Sequence, residues 1–465
     1  MNSHYFYIEK MRHISNNLIQ LFLRIQIERV GNMSLYNNIL KILNLKDKNI
    51  IFDEDFFSTE VIKGIESQVY HGTLTYIPKH CPKCGCIYDN KIVKHGFKTS
   101  LISLPKVSNM NAYLKLKKQR YICYHCNSTF LLSTPVVNKH CYISNNTKLA
   151  IALKAYDKIS ECDIAKEYNV SHSTVNRVIN SFYEVQKPIY NYLPKHLCFD
   201  EFKSVKSANG AMSFLFCDAD NGKIIDIVED RRLNSLIEYF NRYTKKARTS
   251  VKLIVIDIYK PYISLIKKLF PKAKIVIDKF HIVQLISRSL NKTRVAIMNK
   301  DKKNYNKFKR YWKLILKERS KLDIKNYRHF YCFKGLMCQE DVVNYILEQS
   351  IELRDTYEFY QDLLRCIKNK KIDQFNYILN NVEKNYPNIS SHMKTSIKTL
   401  RENKSYVINT LLTNYTNGVI EGIINKIKVI KRIAFGYRSF YHFKLRILIT
   451  NGLGLMKKGL SKSYA

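Results

Sequence analysis

Three acidic residues, Asp200, Asp257 and Glu421, stand in settings where a carboxylate needs a partner. Asp257 ends VKLIVIDIY, a near-continuous apolar run of the kind that forms a buried central strand, and a lone acid there is costly without compensation. Asp200 sits inside LCFDEFKSV, a strand-like segment, and Glu421 heads a helix otherwise loaded with Lys and Arg. On that helix Glu421, Asn425, Lys428 and Arg432 share one face, while Ile420, Ile423, Ile424, Ile427 and Ile430 fill the other. Three carboxylates cannot share a site unneutralised, and a divalent cation is the natural counter-charge. Mg²⁺, or Mn²⁺ in its place, takes oxygen ligands and keeps waters and phosphates in its shell. Two such ions about 4 Å apart activate an attacking oxygen and stabilise a leaving one.

Other acids compete for the role. Asp278 is the rival, because IVID repeats the setting of Asp257, and it either ligates metal or orients His281. Asp218 and Asp220 flank the Asn221-Gly222 turn and read as turn residues. Asp226, Glu229 and Asp230 lie in or near an edge-like strand, and Glu201 faces away from Asp200 by strand alternation.

A second chemistry is carried by Cys81-Pro-Lys-Cys84 and Cys123-Tyr-His-Cys126, four thiolates with zinc-knuckle spacing. The stretch between the pairs reads as strands (KIVKHGF, LISLP, YLKLKKQRYIC), so a zinc ribbon closes over residues 76–140. Cys86, His95 and His125 are spare ligands. Lys115, Lys117, Lys118 and Arg120 line one arm, suited to phosphate contact or simply to solvent.

The elements that must position these groups follow in chain order. Residues 1–75 read as a helical or extension region, with Met33 opening a more ordinary start and residues 1–32 an upstream extension. Residues 145–188 read as a helix-turn-helix: Ser160 and Asp163 open one helix, Asn169-Val170-Ser171 turns, and Ser171 caps a second. His172, Ser173, Asn176 and Arg177 would then face outward at its N-terminus, where base edges are met; an ordinary helical hairpin is the plainer reading. From 195 to 465 three strands are followed by alternating helix and strand, the order of a ribonuclease-H-like fold, with a helical insertion from about 300 to 413. AKIVIDKFHIV reads as a strand carrying both Asp278 and His281. The fold class is multidomain α+β: zinc ribbon, helix-turn-helix and ribonuclease-H-like α/β domain with its insertion.

The formal charge of +40, from 78 Lys and Arg against 38 Asp and Glu, points to a polyanion. No apolar stretch of about 18 residues exists, so no membrane-spanning helix is indicated. A hydrophobic fraction of 46% excludes a disordered basic tail.

LCFDEFKSVK, IVIDIYKPYISLIKKLFPKAKIVIDKFHIVQL and NYTNGVIEGIINKIKVIKRIAFGYRSFYHFKLRIL together resemble the bacterial DDE transposases of the ISL-three insertion-sequence group, from about Met33 to Gly454. The resemblance implies that Asp200, Asp257 and Glu421 are the catalytic triad and that Asp278 and His281 form the accompanying D-x-F-H segment. It implies Mg²⁺ or Mn²⁺ at the triad and Zn²⁺ at the four cysteines. It further implies terminal inverted repeats and target DNA as partners, an oligomer of at least two copies, and a cytoplasmic, nucleoid-associated location. The family's S-N-G-P-x-E-G appears here as Thr416-Asn-Gly-Val-Ile-Glu421-Gly, and Ile424 stands where Asn is frequent. A non-catalytic DNA-binding regulator and a nuclease without strand transfer are the other readings.

Overall fold

A computed structural model describes residues 38–87 and 90–457; the proposed extension at 1–32 lies outside them. The chain divides into two compact units. One comprises Met1–Gln186 with Ile433–Phe435 and Leu445–Ala465, the other Lys187–Arg432 with Gly436–Lys444.

The first unit holds a five-stranded sheet. Strand Ile50–Ile62 pairs antiparallel with Ile65–Leu74, which runs parallel to Met110–Cys123. That strand pairs antiparallel with Ile92–Val107 and Ser128–Leu131. Part of the region read as helix or extension is therefore a long hairpin. Its Asp- and Glu-rich strand hid the β pattern, and Lys63 and Gly64, at φ 52° and 77°, make its turn. The segments KIVKHGF and LISLP form one strand, irregular near Gly96, whose φ is 72°. Val69, Leu74, Leu114, Leu116, Ile102 and Leu104 are buried in the sheet.

Three helices follow, each opened by a serine whose side chain accepts a backbone N–H. Ser144 caps Asn145–Lys154, Ser160 caps Glu161–Glu167 and Ser171 caps His172–Phe182. Asn169 takes φ 49° in the turn between the last two. Their apolar faces meet through Ile151, Ile164, Val175, Ile179 and Phe182, joined by Leu445 and Ile449 from the C-terminal region. Arg446, 1% exposed, donates to the carbonyls of Ala155 (2.5 Å), the C-cap of the first helix, and of Ile159 (3.1 Å), in the linker before the second. A buried guanidinium is tolerable there because the buried Glu161 carboxylate lies 3.8 Å from it and two carbonyls accept its hydrogen bonds.

The second unit is built on a five-stranded sheet in the order Lys274–Ile277, Leu253–Ile256, His196–Lys203, Met212–Asp218, Ile224–Val228. The first three strands are parallel and the last two antiparallel. Aromatic side chains fill one face, with Phe199, Phe214, Phe216, Phe240 and Tyr262 fully buried. Between Lys279 and Leu412 the chain is mainly helical, around Ile286, Leu290, Phe359, Leu363, Ile397 and Leu400. That segment also contains a small hairpin, Arg328–His329 with Leu336–Met337.

Asp226 lies on the sheet's edge strand, yet it is buried. Tyr239 Oη donates to its Oδ2 at 2.6 Å, and Lys444 Nζ pairs with its Oδ1. Removing one member of a buried pair strands the other charge. We expect Lys444→Ala to cost about 3 kcal/mol in urea unfolding and Lys444→Arg to cost less. An Ala variant as stable as the wild type would show that Asp226 is not dependent on this pair.

Candidate active site and zinc site

Strand register brings the acids together. Cys198 pairs with Val255 and Ile256 with Ile277 in parallel alignment. Continuing that register sets Asp200, inside its strand, beside Asp257, and Asp257 beside Asp278, the last two just past the carboxyl ends of their strands. The chain leaves the Asp200 strand toward one side of the sheet and returns with the Asp257 strand on the other. Ligand sites of open α/β sheets form at such a reversal of strand order.

Glu421 arrives from far along the chain. It lies in the first turn of helix Gly418–Ile433, whose Ile420, Ile424, Ile427 and Ile430 are buried, with Ile423 only partly so. Ligating atoms of Asp278, His281 and Glu421 lie within 4.8 Å of one another. His281 Nε2 is 3.0 Å from Asp257 Oδ1. The structure thus brings all five acid and histidine candidates to one place.

The local structure around Asp278 corrects the sequence reading. The strand ends at Ile277, and Asp278 is the N-cap of helix Lys279–Lys300, which puts His281 in that helix's first turn. Asp278 Oδ2 accepts from Phe280 N and Oδ1 from Asn417 N, each at 2.9 Å. The sequence hides this because an N-capping Asp after an apolar strand looks like one more strand residue.

Hydrogen bonding separates the acids. Both Asp278 oxygens are committed to backbone donors. Asp257 Oδ1 meets Asn417 Nδ2 at 2.9 Å and His281, and Asp200 Oδ1 accepts from Glu201 N at 2.7 Å. Among the described residues, Oδ2 of Asp200 and of Asp257 and the Glu421 carboxylate receive no hydrogen bond. Proximity groups Asp278 with His281 and Glu421, whereas the oxygens without a hydrogen bond belong to Asp200, Asp257 and Glu421. Such hard oxygen donors fit Mg²⁺ or Mn²⁺.

The electrostatics reflect burial and the closeness of the carboxylates. Burial, then the charge of Asp257, pushes the Asp200 carboxyl up to about 7. The hydrogen bond to Asp257 raises the His281 imidazole above its ordinary value. Glu201 points away from Asp200: it pairs with Arg231 and accepts from Tyr262 Oη at 2.6 Å.

The cysteines form the second cluster. Sγ atoms of Cys81 and Cys126 are 3.8 Å apart, those of Cys84 and Cys123 3.7 Å, and all four lie within 4.8 Å. A tetrahedral zinc with Zn–S bonds of about 2.3 Å requires S–S edges of about 3.8 Å, so the set fits Zn²⁺. Gly85 (φ 74°) and Asn127 (φ 50°) turn the two knuckles. Cys86, His95 and His125 fall outside the cluster.

The candidate DNA contacts are placed unevenly. His172, Ser173 and Arg177 are exposed, whereas Asn176 is half-buried, accepting from Asn180 Nδ2 at 2.9 Å. Asn425, Lys428 and Arg432 are exposed along the Glu421 helix. Among the described residues no helix is long and apolar enough to cross a membrane.

Residues 197–447, more than half the chain, match the family described as transposase of the ISL3 (ISL-three) DDE type. The chain belongs to this transposase family. Residues 77–126 match the zinc-finger of transposase IS204/IS1001/IS1096/IS1165, the stretch that contains all four clustered cysteines. The chain is also similar to a Lactococcus lactis subsp. lactis protein named "ATP-dependent protease", with 36% identity over 121 residues. That match covers 26% of this chain and 37% of the relative's length. The name belongs to the relative; this sequence has no G-x-x-x-x-G-K-[ST] phosphate loop.

Two outcomes are expected. The purified transposase should carry close to one zinc per chain by elemental analysis, and Cys84→Ser with Cys126→Ser should remove it; a zinc-free, folded wild type would contradict the site. In magnesium-free buffer with zinc retained, the wild type should lose stability as pH rises from the ordinary 3.8 of Asp toward about 7, because the folded state holds a proton on Asp200 that the unfolded chain gives up. Asp200→Asn should flatten that slope in melts between pH 5 and 8. An unchanged slope would show that Asp200 is not held protonated.

Proposed function

We propose that this protein binds the terminal inverted repeats of an insertion sequence, cuts DNA at the element ends and transfers the 3′ ends to target DNA. Asp200, Asp257 and Glu421 are the catalytic residues and hold Mg²⁺ or Mn²⁺. The observation that carries this reading is the placing of Asp200 beside Asp257 across parallel strands, with Asp257 joined through His281 to the group formed by Asp278, His281 and Glu421. The strand order, three antiparallel-linked strands followed by two parallel ones, supports a ribonuclease-H-like catalytic core.

When bound, the divalent cations supply Lewis-acid stabilisation of the attacking and leaving oxygens of the phosphodiester. The chain's own residues do the rest. Asp200 and Asp257 are fixed by adjacent strands, so their separation does not depend on loops. Glu421 is set by a helix whose N-terminal dipole favours its negative charge. His281 donates to Asp257 and orients it. Lys428 and Arg432 are positioned on the Glu421 face to bind backbone phosphates next to the acids.

End recognition falls to the first unit. Ser160-capped and Ser171-capped helices separated by a tight turn support a helix-turn-helix, with His172, Ser173 and Arg177 exposed near the start of the second to meet base edges. The zinc ribbon's basic strand adds phosphate contact. Joining two ends calls for at least a dimer on DNA, in the bacterial cytoplasm beside the nucleoid. Retention of every acid argues against a regulator that binds DNA without cutting it.

Purified protein with Mn²⁺ should cleave labelled element-end duplex. Asp257→Asn should bind that duplex as well as the wild type while cutting slower by more than the roughly 100-fold that loss of an outer-shell partner costs. Equal cutting by both would remove Asp257 from the mechanism. Cutting without preference for the element ends would favour a nuclease.

A further inference from the structure

One residue touches three of the clustered acids, and nothing in its charge announces it. Asn417 is 1% exposed. Its side-chain Nδ2 donates to Asp257 Oδ1 at 2.9 Å, and its backbone N–H donates to Asp278 Oδ1 at 2.9 Å. Its backbone carbonyl accepts from Glu421 N at 2.9 Å, which opens the Glu421 helix. The segment before it is pinned as well. Tyr415 Oη donates to Asp220 Oδ1 at 2.7 Å and lies 2.8 Å from His196 Nδ1, and Cys198 Sγ donates to the Thr416 carbonyl at 3.8 Å. The strand that carries Asp200 therefore also anchors the approach to Glu421.

The orientation of the Asn417 amide follows from chemistry. An ionised carboxylate only accepts, so the nitrogen must face Asp257. That leaves the amide oxygen buried without a hydrogen-bond partner among the described residues. A buried acceptor left unpaired costs about 1–3 kcal/mol, and a cation or a cation-bound water beside the acids is a partner that would satisfy it.

We infer that Asn417 is the positioning residue of the acid cluster: it holds Asp257, Asp278 and the Glu421 helix in one register, and its buried oxygen is satisfied when a divalent cation and its waters are bound. This rests on the transposase reading of the acids as a cation site. The backbone contacts are available to any residue at this position. The amide contributes two functions that they do not: it fixes the Asp257 carboxylate with Oδ2 open, and it offers a hard oxygen to the cation shell or to a water within it.

The test is Mn²⁺ binding to the full, zinc-loaded chain, read from the electron paramagnetic resonance of free Mn²⁺, beside the Mn²⁺ midpoint for end cleavage. Asn417→Ala should weaken Mn²⁺ binding and raise the cleavage midpoint by about tenfold, within the 10–100-fold typical of outer-shell partners. Its DNA affinity, zinc content and melting temperature should stay near wild type. Asn417→Ser, which keeps a hydroxyl donor and acceptor, should recover part of the loss, and it serves as the test if the Ala variant does not fold. Wild-type Mn²⁺ affinity in a folded Ala or Ser variant would overturn the inference, even with a lowered melting temperature, because a purely structural residue would behave that way. If Asp257→Asn loses Mn²⁺ and Asn417→Ala does not, only the role of Asn417 falls. If the wild type itself binds no Mn²⁺, the transposase reading of the acids falls and takes this inference with it.

Discussion

Like charges held close together govern the second unit. Asp200, Asp257, Asp278 and Glu421 converge where water is partly excluded, and carboxylates in that arrangement repel unless something intervenes. The protein answers with several partial solutions. Asp278 is neutralised in effect by two backbone N–H groups, Asp257 by an amide and an imidazole, and Asp200 by retaining a proton near neutrality. Each is a local compromise among close carboxylates. The sheet, the helix cap at Asp278 and the pinned segment before Glu421 all serve to keep this unfavourable grouping in place.

Rigidity comes from elements that carry no charge. Parallel pairing of apolar strands fixes the first two acids with no adjustable loop between them and the core. The Glu421 helix is held by a row of buried isoleucines, so its polar face is presented as a unit. In the first unit the zinc site plays a comparable part. Four sulfurs at tetrahedral spacing tie the ends of a long hairpin that a small apolar core alone would hold weakly.

Much of this was legible in the residues. Asp257 announces itself as a lone acid in LIVIDIY, the two Cys pairs as knuckles, and Ser160 and Ser171 as caps that the structure reproduces with their predicted acceptor roles. What was hidden depends on distant partners or on ambiguous local chemistry. The burial of Asp226 on its edge strand is hidden because Lys444, which pairs with it, lies far along the chain. Asp278 looked like a strand residue because a helix cap after a β run leaves no distinctive pattern. Strand Ile50–Ile62 was missed because its acidic residues mask the alternation. Asn417 lies within the Thr416–Gly422 motif, but neutral amides carry no charge signal, and its contacts come together only when three separate elements meet at it.

The most direct test is where a divalent cation sits. Crystals of the zinc-loaded protein soaked in Mn²⁺ should show anomalous density bounded by the carboxylates of Asp200, Asp257 and Glu421, distinct from the zinc peak among the four cysteines. Density confined to other residues, or Asp200 and Glu421 found too far apart to share one ion, would contradict the account.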